Sequence, residues 1–207
     1  MYIEYCNYNK YIDDYTKEIK NVFQAIANGI DGISLPIHMI REMREYLPSN
    51  LVVSAPVDYP CGLSSSKVRY HMGLNSIKSG ANTLDYVPNH YFLKHKFSEL
   101  KKEIKTLLAI CDDYKATLRV FLDYRRSTTN VLTIAEIINS TGVDLVFPTI
   151  GYHHDDYFDN IINAKMIEKH TNCSVIFNGY MWKKDQFDFA KECDIFGLRL
   201  YNLELLV

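Results

Sequence analysis

Eight short runs rich in β-branched and aromatic residues alternate with longer stretches of helical periodicity along the 207-residue chain. Such alternation is typical of β-α units repeated around a parallel sheet. We expect strands over residues 2–8, 32–35, 51–57, 83–87, 117–124, 144–150, 174–180 and 195–202. Eight units in a chain of this length predict one α/β domain over residues 1–207, a (β/α)8 TIM barrel.

The same helix-to-strand joint is repeated three times, at Gly29, Gly80 and Gly142. Glycine suits the left-handed residue that ends a helix before the chain turns into the next strand. After the eighth predicted strand only residues 203–207 remain, so the final outer helix is truncated. We expect this truncation to leave an apolar strip uncovered near strands 1 and 8, and burial of that strip against a second copy predicts a homo-oligomer.

Charge and cysteine usage exclude several classes of function. The formal net charge is −2, which gives no field that would attract nucleic acid. No apolar run approaches the roughly 18 residues that span a membrane, so we expect no membrane association. The five cysteines are an odd number without CxxC spacing, which favours a reduced, cytoplasmic location over a disulfide framework. We expect no cofactor.

In a barrel of this kind, active groups lie at the carboxyl ends of the strands and in the following loops. Asp85 stands within an apolar predicted strand, where burial tends to raise the pKa of a carboxyl group. It is therefore the foremost acid/base candidate, although it could equally serve only to accept hydrogen bonds inside the barrel. The further catalytic candidates are Asp123 and Lys183. The candidate ligand-binding residues are Tyr5, Asn89, His90, Arg125, Phe147, Thr149, Gly151, Asn178, Gly179 and Arg199.

Two other segments permit a functional and a structural interpretation. Residues 153–156 (HHDD) could supply metal ligands, but an aspartate there also suits the N-cap of a helix, and we favour the cap. The turn 62–66 (GLSSS) could bind an anion through backbone N–H groups, but a capped turn that starts a helix is the simpler interpretation. We therefore predict no metal site.

Four segments resemble the deoxyribose-phosphate aldolases. They are residues 55–68 (APVDYPCGLSSSKV), 77–85 (IKSGANTLD), 118–123 (LRVFLD) and 141–146 (TGVDLV). The resemblance implies an aldolase-type TIM barrel. It also implies carbon–carbon lyase chemistry on an aldehyde, in which a lysine on strand 6 forms a Schiff base and an aspartate on strand 4 and a lysine on strand 7 assist proton transfer. Asp85 matches the aspartate.

The chain departs from the family at both lysine positions. Phe147 stands at the place of the reactive lysine and Ile176 at the place of the assisting lysine. A Schiff base needs an amine within covalent reach of the carbonyl carbon, and neither side chain provides one. Losing such a nucleophile costs several powers of ten in rate. Only a relocated amine from Lys183 or Lys184 could replace it, although a solvated position in a helix's first turn suits both lysines better.

Three functions stay open at this point. The leading hypothesis is an aldolase-like pseudoenzyme that binds a small polar or phosphorylated ligand or a protein partner. A second hypothesis is an active lyase or isomerase on a small sugar phosphate, with Asp85 as acid/base and arginines that neutralise the anion. A third is a structural or assembly protein that uses the barrel as a scaffold.

Overall fold

The computed structural model describes residues 1–8, 14–126, 130–151 and 156–206. Its parallel strands form a closed barrel in the sequence order β1 to β8. The strands are β1 Tyr2–Cys6, β2 Gly32–Ser34, β3 Val52–Val57, β4 Thr83–Tyr86, β5 Thr117–Phe121, β6 Leu145–Phe147, β7 Ser174–Phe177 and β8 Gly197–Leu200. The predicted barrel and all eight predicted strands are confirmed.

Helices follow the strands around the outside. They are α1 Tyr15–Ala27, α2 Ile37–Met43, α3 Ser66–Lys78, α4 His90–His95, α5 Phe97–Tyr114, α6 Val131–Asn139, α7 Tyr157–His170 and α8 Lys184–Glu192, with 3₁₀ helices at Arg44–Tyr46 and Leu203–Leu206. Several strands end earlier than the sequence predicts. On β6 the next residue is Pro148, which has no N–H to donate to a strand ladder.

Alternation along each strand divides the side chains between two cores. Outward-facing residues such as Val57, Leu84, Val120 and Val146 pack against the helices. Their inward-facing neighbours point toward the barrel axis. The barrel interior is therefore packed separately from the outer core. Its carboxyl-terminal half contains a small apolar cluster that includes Val87, Phe121, Phe147, Ile150 and Ile176.

Backbone geometry confirms the repeated helix-to-strand joint. Gly29, Gly80 and Gly142 have φ values of 77°, 111° and 101°. These are left-handed conformations that carry no Cβ penalty in glycine. Each joint reverses the chain within a few residues, which keeps consecutive strands adjacent.

The predicted truncation after β8 is present, but its predicted consequence is wrong in part. The short 3₁₀ helix Leu203–Leu206 buries Leu203 and Leu205 near β1 and α1, so it takes the place of the absent helix. Large exposed apolar side chains remain next to the starts of β1 and β8, at Met1 and Phe196, and others lie on α7 and α8, at Phe158, Ile162, Met166 and Phe189. Self-association stays a prediction, and sedimentation over a range of concentrations tests it.

Within the four described ranges, no helix combines the length and apolar character that a membrane crossing requires.

Candidate functional site

Four charged side chains from four strands meet at the centre of the barrel. They are Glu4 of β1, Asp85 of β4, Arg119 of β5 and Arg199 of β8, and each is at most 1% exposed. The strand register brings them together, because Glu4 lies directly opposite Arg199 and Asp85 directly opposite Arg119. Such deeply buried charges persist only where they are paired.

The four side chains form a closed ring of ion pairs. Arg119 donates from Nε to Asp85 Oδ1 at 2.7 Å and from Nη1 to Glu4 Oε2 at 2.7 Å. Arg199 donates from Nη2 to Asp85 Oδ2 at 2.6 Å and from Nε to Glu4 Oε1. Each carboxylate thus bridges both guanidinium groups, and the ring has no net charge.

Hydroxyl groups add hydrogen bonds to this ring, while Arg119 Nη2 has no hydrogen-bond partner among the described residues. Ser54 Oγ donates to Asp85 Oδ2 at 3.0 Å, and Tyr2 OH donates to Glu4 Oε2 at 2.6 Å. Tyr8 OH accepts from Arg199 Nη1, and Ser34 Oγ accepts from Arg199 Nη2 at 3.0 Å. Both carboxylates are therefore surrounded by hydrogen-bond donors, which is the arrangement that keeps a carboxylate ionised.

The predicted rise in the pKa of Asp85 is wrong. Desolvation by burial does act to raise the pKa, but the charges of Arg119 and Arg199 and their hydrogen bonds outweigh it and lower the pKa below its ordinary value. Asp85 is consequently ionised at neutral pH. Its oxygens already accept charge-assisted hydrogen bonds from Arg119 and Arg199.

Aromatic side chains cover the ring of ion pairs on the side that faces the mouth of the barrel. Phe121 and Phe147 stack with their centroids 4.4 Å apart. The guanidinium carbon of Arg199 lies 4.1 Å from the centroid of Phe147, in a cation–π contact. Phe147 and Ile176 are both buried in the interior apolar cluster. Carbon side chains therefore occupy the barrel axis at the two positions where the family resemblance implies lysines.

A second polar group lies at the mouth, where β6, β7 and β8 end. The side chain of Asn178 donates from Nδ2 to the carbonyl oxygen of Thr149, and Tyr201 OH donates to the carbonyl oxygen of Asn178 at 3.2 Å. Gly151 has φ +67°, and a Cβ there would lie 2.3 Å from the Tyr201 hydroxyl oxygen. Only glycine fits at this position.

Two buried amide atoms in this group have no hydrogen-bond partner among the described residues, Asn178 Oδ1 and Asn160 Nδ2. Asn160 is positioned through its other amide atom, because Tyr124 OH donates to its Oδ1 at 2.7 Å. A Cβ on Gly179 would come within 2.7 Å of both Asn160 Nδ2 and Phe177 Cζ, so the absence of a side chain here lets Asn160 and Phe177 pack closely against the backbone. Buried polar atoms of this kind are usually satisfied, which makes these two atoms the candidate contacts for a polar ligand.

The structure brings together Thr149, Gly151, Asn178 and Gly179 from the predicted ligand-binding set. Arg199 and Phe147 lie deeper, in the central network. Tyr5 faces outward, away from the central network, and its hydroxyl donates to Glu18 of α1 at 3.2 Å. Lys183 is exposed beside α8, so its amine does not lie at the buried Asp85.

Of the remaining candidates, Asn89, Asp123 and Arg125 have structural partners, whereas the buried Nδ1 of His90 has no hydrogen-bond partner among the described residues. Asn89 caps α4 by accepting from Tyr91 N at 2.8 Å, and Asp123 accepts from Arg126 Nε at 2.6 Å. Arg125 pairs with Asp159 at the surface. His90 begins α4, and desolvation by burial lowers the pKa of its imidazole.

The two competing interpretations of loop segments also meet structural observations. Residues 153–155 of the metal hypothesis lie outside the described residues, but Asp156 is the N-cap of α7 and accepts from Asp159 N at 3.0 Å. Ser65 caps α3. The Ser64 N–H of the same turn donates to Asp58 Oδ2 at 2.8 Å, which leaves this N–H unavailable to an anion. In the part of the chain that the structure describes, no three His, Cys, Asp or Glu side chains are grouped to hold a metal.

The sequence reasoning missed most of the central network. Glu4 and Arg119 are charged residues inside apolar strands, as Asp85 is, and this shared signal could have found both. Ser34, Ser54 and Asn160 carry no such signal, because small or polar residues in strands and helices are common.

Comparisons with known proteins place this geometry in context. No protein-family model matches the chain. Deoxyribose-phosphate aldolases of Streptococcus agalactiae and Streptococcus pyogenes are each 22% identical over 138 residues. The match covers 65% of this chain and 61% of each relative, so it spans less than two thirds of the relatives' own length.

Solved structures agree in fold. The tetrameric deoxyribose-phosphate aldolase from Aeropyrum pernix superposes with a TM-score of 0.81 at 14% identity, over 95% of this chain and 84% of that chain. An aldolase designated QR15 gives a TM-score of 0.78 at 16% identity, over 97% and 89% of the two chains. The resemblance to deoxyribose-phosphate aldolases is therefore confirmed, and the fold is that of an aldolase-type TIM barrel.

Proposed function

We propose that this protein is an aldolase-like barrel that forms no Schiff base and binds a small, uncharged polar molecule at its mouth. The proposal depends on one observation above all. Phe147 and Ile176 fill the barrel axis where the family resemblance implies amines, and the Arg199 guanidinium lies against the ring of Phe147. A carbonyl carbon at this level of the barrel would meet carbon and a cation, neither of which is a nucleophile.

Lysines from elsewhere do not replace the missing amine among the described residues. Lys184 donates from Nζ to the carbonyl oxygen of Leu205 at 2.8 Å, on the outside of the barrel. Lys183 is exposed. Both positions support the view that these lysines serve α8 and the chain's end, and that covalent trapping of an aldehyde has been lost.

The alternative of non-covalent lyase or isomerase chemistry on a sugar phosphate is weaker. A general acid or base must reach substrate and exchange a proton near neutral pH. Asp85 is fully buried, and the two arginines lower its pKa, so it meets neither condition. Proton transfer between Asp85 and a substrate would require the ring of ion pairs to open.

The chemistry at the mouth favours an uncharged ligand over a phosphorylated one. Asn178 Oδ1 offers an acceptor and Asn160 Nδ2 offers a donor, both of them neutral. The nearby cations have carboxylate partners, since Arg125 pairs with Asp159 and Arg126 with Asp123. Phosphate recognition relies on charge-assisted contacts from such arginines. A hydroxyl- or amide-bearing molecule suits the pair of asparagines better.

Two measurements test this proposal. A coupled assay for cleavage of deoxyribose 5-phosphate is expected to show no turnover above buffer, while an aldolase relative assayed in parallel shows it. A thermal-shift screen of uncharged polyols, sugars and amides is expected to yield stabilising compounds.

The stabilisation by such a compound should be lost in Asn178→Ala. It should be retained in Asn172→Ala, because Asn172 is an exposed asparagine before β7, at the other end of the barrel. Cleavage of the sugar phosphate would overturn the first half of the proposal. If no small molecule stabilises the folded protein, the second half fails and the scaffold hypothesis is favoured.

A further inference from the structure

A cavity between α3, α4 and α5 lies on the outside of the barrel, away from the mouth. Its volume is about 220 Å³, roughly that of seven water molecules in the liquid. Phe92, Leu107 and Tyr70 provide most of the apolar wall. The polar lining residues are Ser66, Arg69, Glu99, Lys102, Glu103 and Thr106. The central ring of ion pairs contributes none of these residues.

The polar wall includes part of a second buried ionic cluster, formed by Arg69, Asp58 and Glu103, and the charges of this cluster do not balance. Arg69 donates from Nε to Asp58 at 2.7 Å and from Nη1 to both oxygens of Glu103, at 2.6 and 2.7 Å. Its remaining nitrogen donates to the carbonyl oxygen of Gly62 at 2.6 Å. One guanidinium therefore faces two carboxylates that are 10% and 8% exposed. The cluster carries a net charge of −1 beside a largely apolar cavity, where solvent screens it weakly.

One hydroxyl fixes the polarity that a ligand must have. Ser66 Oγ uses its single proton to donate to Glu103 Oε1, and Tyr86 OH donates to the other oxygen of Glu103 at 2.6 Å. Ser66 can therefore offer a ligand in the cavity only lone pairs. A hydrogen-bond donor is accepted there, whereas a carboxylate or phosphate would meet lone pairs and negative charge.

We infer that this cavity binds a small organic cation with an apolar part, a primary amine attached to an aromatic or aliphatic body. The ammonium group donates to Ser66 Oγ and lies in the field of the Asp58 and Glu103 carboxylates. The apolar body packs against Phe92 and Leu107. Glu99 and Lys102 line the same cavity. Their opposite charges offset each other, so the groups around the cavity keep the net charge of −1 that Asp58, Glu103 and Arg69 give.

A matched set of probes separates this inference from non-specific apolar binding. Phenethylamine, 2-phenylethanol and phenylacetate share one aromatic body and differ in the charge of the head group. Titration of the wild-type protein, followed by amide chemical shifts, is expected to give binding of the amine about tenfold or more tighter than of the alcohol. Phenylacetate is expected to cause no saturable shift. Shifts should centre on α3 and α5.

Variants at exposed positions test the location. Ser66→Ala removes the acceptor and is expected to weaken phenethylamine binding about fivefold to tenfold. Thr106→Trp places a large ring at the cavity wall and is expected to abolish binding. Asp112→Trp is the matched control, because Asp112 is an exposed residue of the same helix that does not line the cavity.

Equal affinity for the amine and the alcohol would overturn the inference. Unchanged binding in Thr106→Trp would overturn it too, and would assign the amine to another site. Neither result bears on the asparagine site at the mouth, because none of the residues that line this cavity belongs to that site.

Discussion

Replacing Asp85 by asparagine removes one negative charge from the centre of the barrel and leaves the side chain's shape unchanged. The ring then holds two guanidinium groups and one carboxylate, all of them fully buried. The amide also turns an N–H toward groups that donate to Asp85 in the wild type, namely Arg119, Arg199 and Ser54. Breaking a buried ion pair by removing one partner costs about 3–5 kcal/mol. Domains of this size have about 5–15 kcal/mol in all, so the loss is severe.

Urea denaturation of Asp85→Asn against wild type measures this cost. Asp159→Asn is the matched control, because Asp159 forms an exposed pair with Arg125 at 3.2 Å. That substitution should change the free energy of unfolding by about 1 kcal/mol or less. A loss in Asp85→Asn no larger than in the control would refute the view that the central ring is buried and mutually dependent.

A double-mutant cycle adds a sharper check. Arg119→Met alone leaves Asp85 and Glu4 with one guanidinium between them, so it should also be strongly destabilising. The double variant restores neutrality with Glu4 and Arg199, and we expect it to be more stable than the sum of the two single losses by about 1–3 kcal/mol. Simple additivity would contradict the account of the ring.

Acid titration of stability follows from the same ring. The pKa of Asp85 is lower in the folded protein than its ordinary value of about 3.9. The ionised carboxylate therefore stabilises the fold fully above that ordinary value, and the contribution is lost as the pH falls through the lower folded-state pKa. The difference in unfolding free energy between wild type and Asp85→Asn should shrink in acid; a difference that grows as the pH falls would contradict the sign.

Three further predictions concern single positions. Phe147→Lys should lose about 3–5 kcal/mol of stability and gain no aldolase activity, because the new ammonium would lie against Arg199, whereas Phe147→Leu should lose less stability. Urea denaturation measures the stability and the coupled assay measures the activity. An active, stable lysine variant would contradict the proposed geometry. Gly151→Ala should cost more than Gly142→Ala in thermal unfolding, by about 1–3 kcal/mol, because only at Gly151 would the added Cβ meet another group closely, the Tyr201 hydroxyl at 2.3 Å; equal costs would refute this. Of the five cysteines only Cys61 is exposed, and desolvation raises the pKa values of Cys6 and Cys111 to about 12. A thiol reagent should therefore label one cysteine in the native protein and five after unfolding. Labelling of Cys6 before unfolding would show that β1 opens.

The sequence predicts the barrel well because the barrel depends on local patterns. Strand and helix periodicities and the three glycine joints are written in consecutive residues, and the eight units close in only one common way. Strand ends were less predictable. The apolar character of residues 148–150 continues past β6, but the ladder stops at Pro148.

The candidate site was predictable only in outline. Alternation identifies which residues of a strand face inward, so Asp85 was found, but the partner of a buried charge depends on register between strands far apart in the chain. Glu4 and Arg199 are 195 positions apart and adjacent in the barrel. Without that register, burial alone set the expected direction of the Asp85 pKa, and the two guanidiniums reverse it.

Borohydride trapping tests the central claim most directly, since it reads out the covalent intermediate itself. The native protein is incubated with deoxyribose 5-phosphate, reduced, digested and mapped by mass spectrometry beside an aldolase relative treated identically. We expect one stoichiometrically modified lysine in the relative and none in this protein beyond the sparse, scattered modification of exposed lysines. A single lysine modified to completion in the native fold, and spared after unfolding, would contradict the proposal that this barrel has no reactive amine beside its ring of ion pairs.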